Sequence, residues 1–134
     1  MLTFIDSNVL IAAATGKGKH AAKAFSILDD PARTFVSSPF VRLEVLPKAV
    51  FHKQQTEALY YETFFSSVGS WVNDLDAIVA EAEKVGSQFG LNMGDALHIA
   101  SALLAGALEF VTAERPTSPF KNVVGIKVVS IYVP

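Results

Sequence analysis

The 134-residue chain has no cysteine. That excludes disulfides and thiolate metal sites, and it fits the reducing cytoplasm, which is the expected compartment. Charge is also scarce. Only 18% of residues are Asp, Glu, Lys or Arg, and they sum to −2. No strong global field therefore attracts a polyanion, and any nucleic acid has to be held locally. The apolar stretches are broken well before the about 18 residues of a transmembrane helix. Met1 leads straight into strand-like residues without a basic segment or cleavage site, so neither a membrane nor a signal peptide is expected. Repeats, low-complexity tracts and linkers are missing too. What is present is 51% hydrophobic residues in 14.4 kDa. This is enough for a single domain spanning 1–134 that buries roughly 70% of its unfolded surface.

Leu2–Ile5 reads as a buried strand, and Ser7 or Asn8 is placed to cap a helix over Val9–Ala14. Gly16-Lys17-Gly18-Lys19 breaks it, a second helix runs from His20 to Leu28, and Asp29-Asp30-Pro31 stops that one. Thr34–Ser37 is strand-like, and Pro39 suits the first turn of the next helix, which Pro47 should kink or split. Helical spacing returns from Gln54 to Phe65 and sets Tyr60, Tyr61, Phe64 and Phe65 on one side. After a short strand at Ser70–Asn73, Asp74 or Asp76 can cap a helix with the apolar stripe Ile78, Ala82, Val85 and Phe89, closed by Gly90. Ala96–Ala105 is a buried helix, and Phe110–Thr112 and Val128–Val133 are strands. Strands alternating with helices predict a three-layer α/β fold around a mainly parallel sheet.

Four acids gain meaning from that layout. Asp6 ends the first strand, Glu44 lies about one and a half turns into a helix among apolar neighbours, Asp95 stands at a helix start, and Glu114 follows a strand. Ligands of open parallel sheets gather beyond the carboxyl ends of the strands, and right-handed crossovers bring all four acids to that edge. Converging carboxylates cannot all stay ionised without a cation, which points to a hard divalent metal.

The ordered set Phe4-Ile5-Asp6-Ser7-Asn8-Val9-Leu10, Arg42-Leu43-Glu44-Val45, Gly94-Asp95-Ala96-Leu97-His98-Ile99-Ala100 and Phe110-Val111-Thr112-Ala113-Glu114 resembles the PIN-domain ribonucleases. In its small single-domain form it is most similar to the VapC-type toxins of toxin–antitoxin pairs. The resemblance runs from Phe4 to the region of Phe120, and it implies an α/β/α PIN-like domain. It matches Asp6, Glu44 and Asp95 to the family's three main acids and Glu114 to a fourth that is usually Asp. It also matches Ser7, Asn8 and Thr112 to positions that hydrogen-bond the carboxylates. The implied chemistry is hydrolysis of RNA phosphodiesters with Mg²⁺ or Mn²⁺ held by Asp6 and Asp95. For Glu114, one methylene longer than the usual Asp, direct ligation, ligation through water and loss of the fourth site are all open. Glu44 would ligate a second ion or orient the attacking water. A cognate antitoxin is the implied partner.

Blander readings stand beside these. Asp6 and Asp95 could be helix caps, Glu44 a solvated face, Glu114 the partner of Arg115 in a surface ion pair, and His98 a structural histidine. Lys17, Lys19, His20, Lys23, Arg42 and Lys48 could steer phosphates or simply be solvated. The Tyr60/Tyr61/Phe64/Phe65 face is core by default; as an exposed face it predicts a homodimer or an antitoxin groove. Two rival functions remain: a non-catalytic PIN-like module binding RNA or protein, and a phosphatase of the haloacid dehalogenase type. The latter also opens with strand–Asp but needs a second Asp where this chain has Asn8.

Overall fold

The computed structural model describes Met1–Pro134. The elements are β1 (Leu2–Ile5), α1 (Ser7–Thr15), α2 (Ala21–Leu28), β2 (Thr34–Ser37), α3 (Pro39–Phe51), α4 (Gln55–Ser67) and β3 (Ser70–Trp71). They continue with α5 (Leu75–Phe89), α6 (Met93–Leu104), β4 (Glu109–Thr112), a 3-10 turn (Pro119–Asn122) and β5 (Lys127–Ser130). All strands pair in parallel, in the order β3-β2-β1-β4-β5. Right-handed crossovers then place α1 to α4 on one face and α5 and α6 on the other. This is the three-layer α/β/α architecture expected.

β1 and β4 are covered on both faces, which is why they read as apolar runs rather than alternating ones. Phe4 lies opposite Val36 on one side and Phe110 on the other. The Phe4 and Phe110 rings stack at 5.5 Å, and Phe120 of the 3-10 turn packs on Phe110 at 5.1 Å. Each fully buried side chain of this kind contributes about 1.5–3 kcal/mol. The α5 stripe Ile78, Ala82, Val85 and Phe89 is buried as the periodicity requires, and the left-handed Gly90 ends that helix at φ 72°. No helix is long and apolar enough to cross a membrane.

Three expectations change, and an open choice is settled. Asp6, not Ser7 or Asn8, is the N-cap of α1, its Oδ1 accepting from the Ser7 amide at 2.8 Å. Pro47 does not split α3, because it sits on the exposed side, where water can take the carbonyl left unpaired by the missing N–H. The break comes at His52–Gln54 instead, where Lys53 adopts φ 55°. For the aromatic face the default reading holds: Tyr61, Phe64 and Phe65 are core, and with only Tyr60 partly buried the alternative of one exposed face falls. The last strand stops at Ser130, whose hydroxyl accepts from the Tyr132 amide at 3.2 Å.

Candidate active site

In chain order the sheet grows from β1 toward β2 and β3, and then crosses back to place β4 on the other side of β1. That reversal opens a crevice at the carboxyl ends of β1 and β4. Asp6 leaves β1 there, and Glu114 follows β4 by two residues. α3 and α6, from opposite faces, meet over the same edge.

Asp6 is 5% exposed. Its Oδ1 is held by the Ser7 amide and its Oδ2 accepts from Thr112 Oγ1 at 2.7 Å. The Thr112 hydroxyl in turn accepts from the Glu114 amide at 3.1 Å, and Asn8 Oδ1 accepts from the Ala113 amide at 2.9 Å. Ser7 and Thr112 thus orient the Asp6 carboxylate directly, whereas Asn8 fixes the segment that carries Glu114. Burial pushes the Asp6 carboxyl up, against the pull of His98, Thr112 and Ser7, and Glu44 adds to the rise.

Asp95 lies in the first turn of α6, which starts at Met93 because Asn92 Oδ1 caps the Asp95 amide at 2.9 Å. Its carboxyl is pushed up to about 6, first by burial and then by the charges of Asp6, Glu114 and Glu44. Asp95 therefore feels the other three acids across the rim. None of Asp6, Asp95 and Glu114 is paired with a lysine or arginine. Arg115, adjacent to Glu114, instead lies over the Tyr132 ring at 5.2 Å.

His98 is the site member that sequence reasoning undervalued. It is 2% exposed, and its Nε2 bonds Glu44 Oε1 and approaches Ser7 Oγ at 3.4 Å. With a carboxylate as partner, Nε2 carries the proton. The bond to His98 holds the half-exposed Glu44 carboxyl below its ordinary range. Burial opposes charging of the ring, but the Glu44 bond and the charges of Asp6, Glu44 and Asp95 outweigh it and raise His98. The Asp95/His98 spacing of three residues does place both on one helical face. Glu44 comes from a different element, 54 residues away, so no local signal names it as the partner.

As the side chains stand, no three His, Asp or Glu groups form a closed metal cage. The donor set still fits a hard cation, since Mg²⁺ is usually bound through one or two carboxylates, with water and phosphate oxygens completing its shell. Asp6 and Asp95 are the two carboxylates that would do this, and the charge of Glu114 reaches Asp95.

Of the cations singled out in the sequence, none pairs with a site acid. Lys19 Nζ donates to the Pro134 carbonyl at 2.9 Å, His20 packs on Tyr132, and Arg42 pairs with Glu62 at 2.5 Å. Lys48 lines a cleft of about 450 Å³ that also contains Glu44, His52 and Glu57.

A parallel α/β sheet with a carboxylate rim at its topological switch point defines the general class. The sequence matches the family model for the PIN domain over residues 3–116, and the chain belongs to that family. No curated protein matches it. Solved structures of similar fold include a toxin–antitoxin complex from Klebsiella pneumoniae, at 22% identity over 97% of this chain and 98% of that one, with a TM-score of 0.70. VapBC2 from Rickettsia felis bound to a promoter DNA fragment gives 14% identity over 97% and 98%, with a TM-score of 0.73. VapBC-1 from nontypeable Haemophilus influenzae gives 18% over 98% of each chain, with a TM-score of 0.68. The family resemblance drawn from the four acidic segments is thereby borne out.

Proposed function

We propose that the chain, acting as one PIN-like domain over 1–134, is a Mg²⁺- or Mn²⁺-dependent endoribonuclease and the toxin of a toxin–antitoxin pair. The observation that carries this is the rim of carboxylates, free of lysine and arginine partners, in which burial and then the charges of its acidic neighbours raise Asp95. Asp6 and Asp95 would hold the ion, with Glu114 reaching it through water. When bound, such an ion acidifies water and offsets the charge that builds on the phosphodiester. The chain's own residues do the positioning. Ser7 and Thr112 lock both oxygens of Asp6, and His98 keeps Glu44 ionised and turned toward the rim, where it can orient the attacking water.

The metal is tested by melting curves. After chelation, millimolar Mn²⁺ or Mg²⁺ is expected to raise the Tm, because ion binding relieves repulsion among the acids; at ten times its Kd the gain is about 1.4 kcal/mol. The same additions are expected to switch on cleavage of structured RNA. An unmoved melting curve with no cleavage would favour the non-catalytic module.

Partners are proposed on the same footing. Tyr60, Phe64, Leu59, Leu28 and Phe35 line an apolar cleft of about 410 Å³, with Leu59 67% exposed. It suits an amphipathic antitoxin helix, and the structures named above include toxin–antitoxin complexes. A homodimer fits a second apolar cleft, of about 560 Å³, between α3, α5 and α6, where Met93 is 81% and Val79 55% exposed. Light scattering is expected to report about twice 14.4 kDa, and Val79→Glu to shift it toward monomer. A wild-type monomer at high concentration would remove the dimer.

A further inference from the structure

A cleft of about 480 Å³ opens beside the carboxylate rim, between the end of β4, the 3-10 turn and β5. Thr112, Arg115, Ser118, Lys121 and Ser130 supply its polar lining. It is cationic without a carboxylate, whereas four other clefts of comparable size each include one: Glu44 with Glu57, Asp29, Glu83, and Asp74. Neither Arg115 nor Lys121 has an acidic partner. The exposed Arg115 side chain lies over the Tyr132 ring, which leaves guanidinium N–H groups available to an anion. The Ser118 amide donates to the Arg115 carbonyl at 2.9 Å, and the Lys121 amide to the Ser118 carbonyl at 2.9 Å, so consecutive turns fix all three residues relative to one another. Ser118 Oγ is buried and has no partner within the protein. A buried hydroxyl without a hydrogen bond is destabilising, and an oxyanion at this position would satisfy it.

The cleft also adjoins the proposed cleavage site. Thr112 lines it while donating to Asp6, and Arg115 follows Glu114 directly. We propose that Arg115, Lys121 and Ser118 form a phosphate subsite that holds an internal phosphate of the RNA strand next to the bond being cut. This reading rests on the ribonuclease assignment and adds to it a defined place for the flanking strand. It also explains how a chain of net charge −2 holds a polyanion: the phosphate contacts are local, on one side of the acids.

The test measures binding by fluorescence anisotropy in an Asp95→Asn background, so that the strand stays intact. Single-stranded oligoribonucleotides with a 5′-hydroxyl and with a 5′-phosphate are compared. Adding Arg115→Gln and Lys121→Gln together is expected to weaken both strands about tenfold and to flatten the salt dependence by about 0.7 in slope for each phosphate no longer neutralised. Ser118→Ala is expected to weaken binding without changing that slope, because it removes a hydrogen bond and no charge. Lys121 is exposed, so Lys121→Gln alone, which should show part of the loss, guards against misfolding as the cause. Unchanged affinity and slope in the double variant would overturn the subsite. A loss confined to the 5′-phosphorylated strand would overturn the internal assignment in favour of a terminal phosphate. If the Asp95→Asn protein binds neither strand, the RNA reading itself falls, and the subsite with it.

Discussion

Asp95→Asn is expected to abolish RNA cleavage and, in the same protein freed of metal, to raise the melting temperature. The two effects have one cause. Burial and the charges of Asp6, Glu114 and Glu44 raise the Asp95 carboxyl to about 6 from an ordinary value of 3.8. Between these values the folded protein keeps a proton that the unfolded chain releases. Stability therefore falls as pH rises through about 4 to 6, and above 6 the ionised carboxylate imposes its full penalty. Asparagine is nearly isosteric and uncharged at every pH, so it removes that penalty. Screening of a partly exposed group limits the gain to about 1 kcal/mol, or about 3–4 °C for a domain of this size.

Turnover moves the other way. Losing a charge that holds the ion forfeits several kcal/mol of transition-state stabilisation, a fall of more than about a hundredfold. Asp6→Asn should be equally inactive and should likewise not lower the metal-free Tm, because burial raises this carboxyl too while the amide oxygen still accepts from Ser7 and Thr112 can turn its hydroxyl. Glu114→Ala should lose less activity than either, as suits a water-bridged role. The checks are turnover at saturating Mg²⁺ and melting in a chelator. Wild-type turnover in either asparagine variant, or a lower Tm for Asp95→Asn, would show that the acids have been given the wrong work.

The strand–helix alternation and the four acids could be read before any coordinates because each signal is local. Short apolar runs mark β1, β2 and β4, and Asp6, Asp95 and Glu114 sit at element boundaries, where the crossover rule alone sends them to one edge. Local reasoning failed where a tertiary contact decides. Pro47 was expected to disturb α3, but its effect depends on which side of the helix faces solvent, and that is settled by the packing of Val41, Val45 and Ala49. Tyr61, Phe64 and Phe65 share a helix flank with Tyr60, and only the positions of α1 and β2 show that three of them are core. His98 could be seen to share a face with Asp95, while its bond to Glu44 spans two elements. Glu109 shows the same limit more sharply, since its spacing marks nothing and yet it is 2% exposed at the start of β4.

Arg33→Met should expose what that buried acid contributes, with a loss of about 3 kcal/mol at pH 7 and a Tm lower by about 10 °C. Glu109 Oε1 accepts from Arg33 Nε at 2.5 Å and from Thr3 Oγ1 at 2.7 Å, and Asp30 Oδ2 holds the other end of the guanidinium at 2.6 Å. The network ties β1, β4 and the approach to β2 together at the rim opposite the acids. Methionine keeps the aliphatic bulk but leaves a buried carboxylate with only one hydroxyl, so the cost comes from the stranded charge. In the wild type, burial raises the Glu109 carboxyl, but the Arg33 and Thr3 bonds and the charges of Arg33 and Lys127 outweigh it, and the net movement is downward. A depressed carboxyl stabilises above its unfolded value of 4.5 and loses that contribution as pH falls through the folded one. Without Arg33 only the Thr3 bond and the charge of Lys127 still oppose burial, so Glu109 is expected to rise and the variant to gain stability on acidification while the wild type loses it. Melting curves from pH 7 to 4 should therefore converge, and Arg33→Met with Glu109→Leu should recover most of the loss by removing the charge altogether. RNA cleavage per folded molecule should not change, because this network lies at the far end of β4 from Glu114. A gap between wild type and variant that stays constant across that pH range would mean that Arg33 acts through packing alone, and that Glu109 is already neutral in the fold.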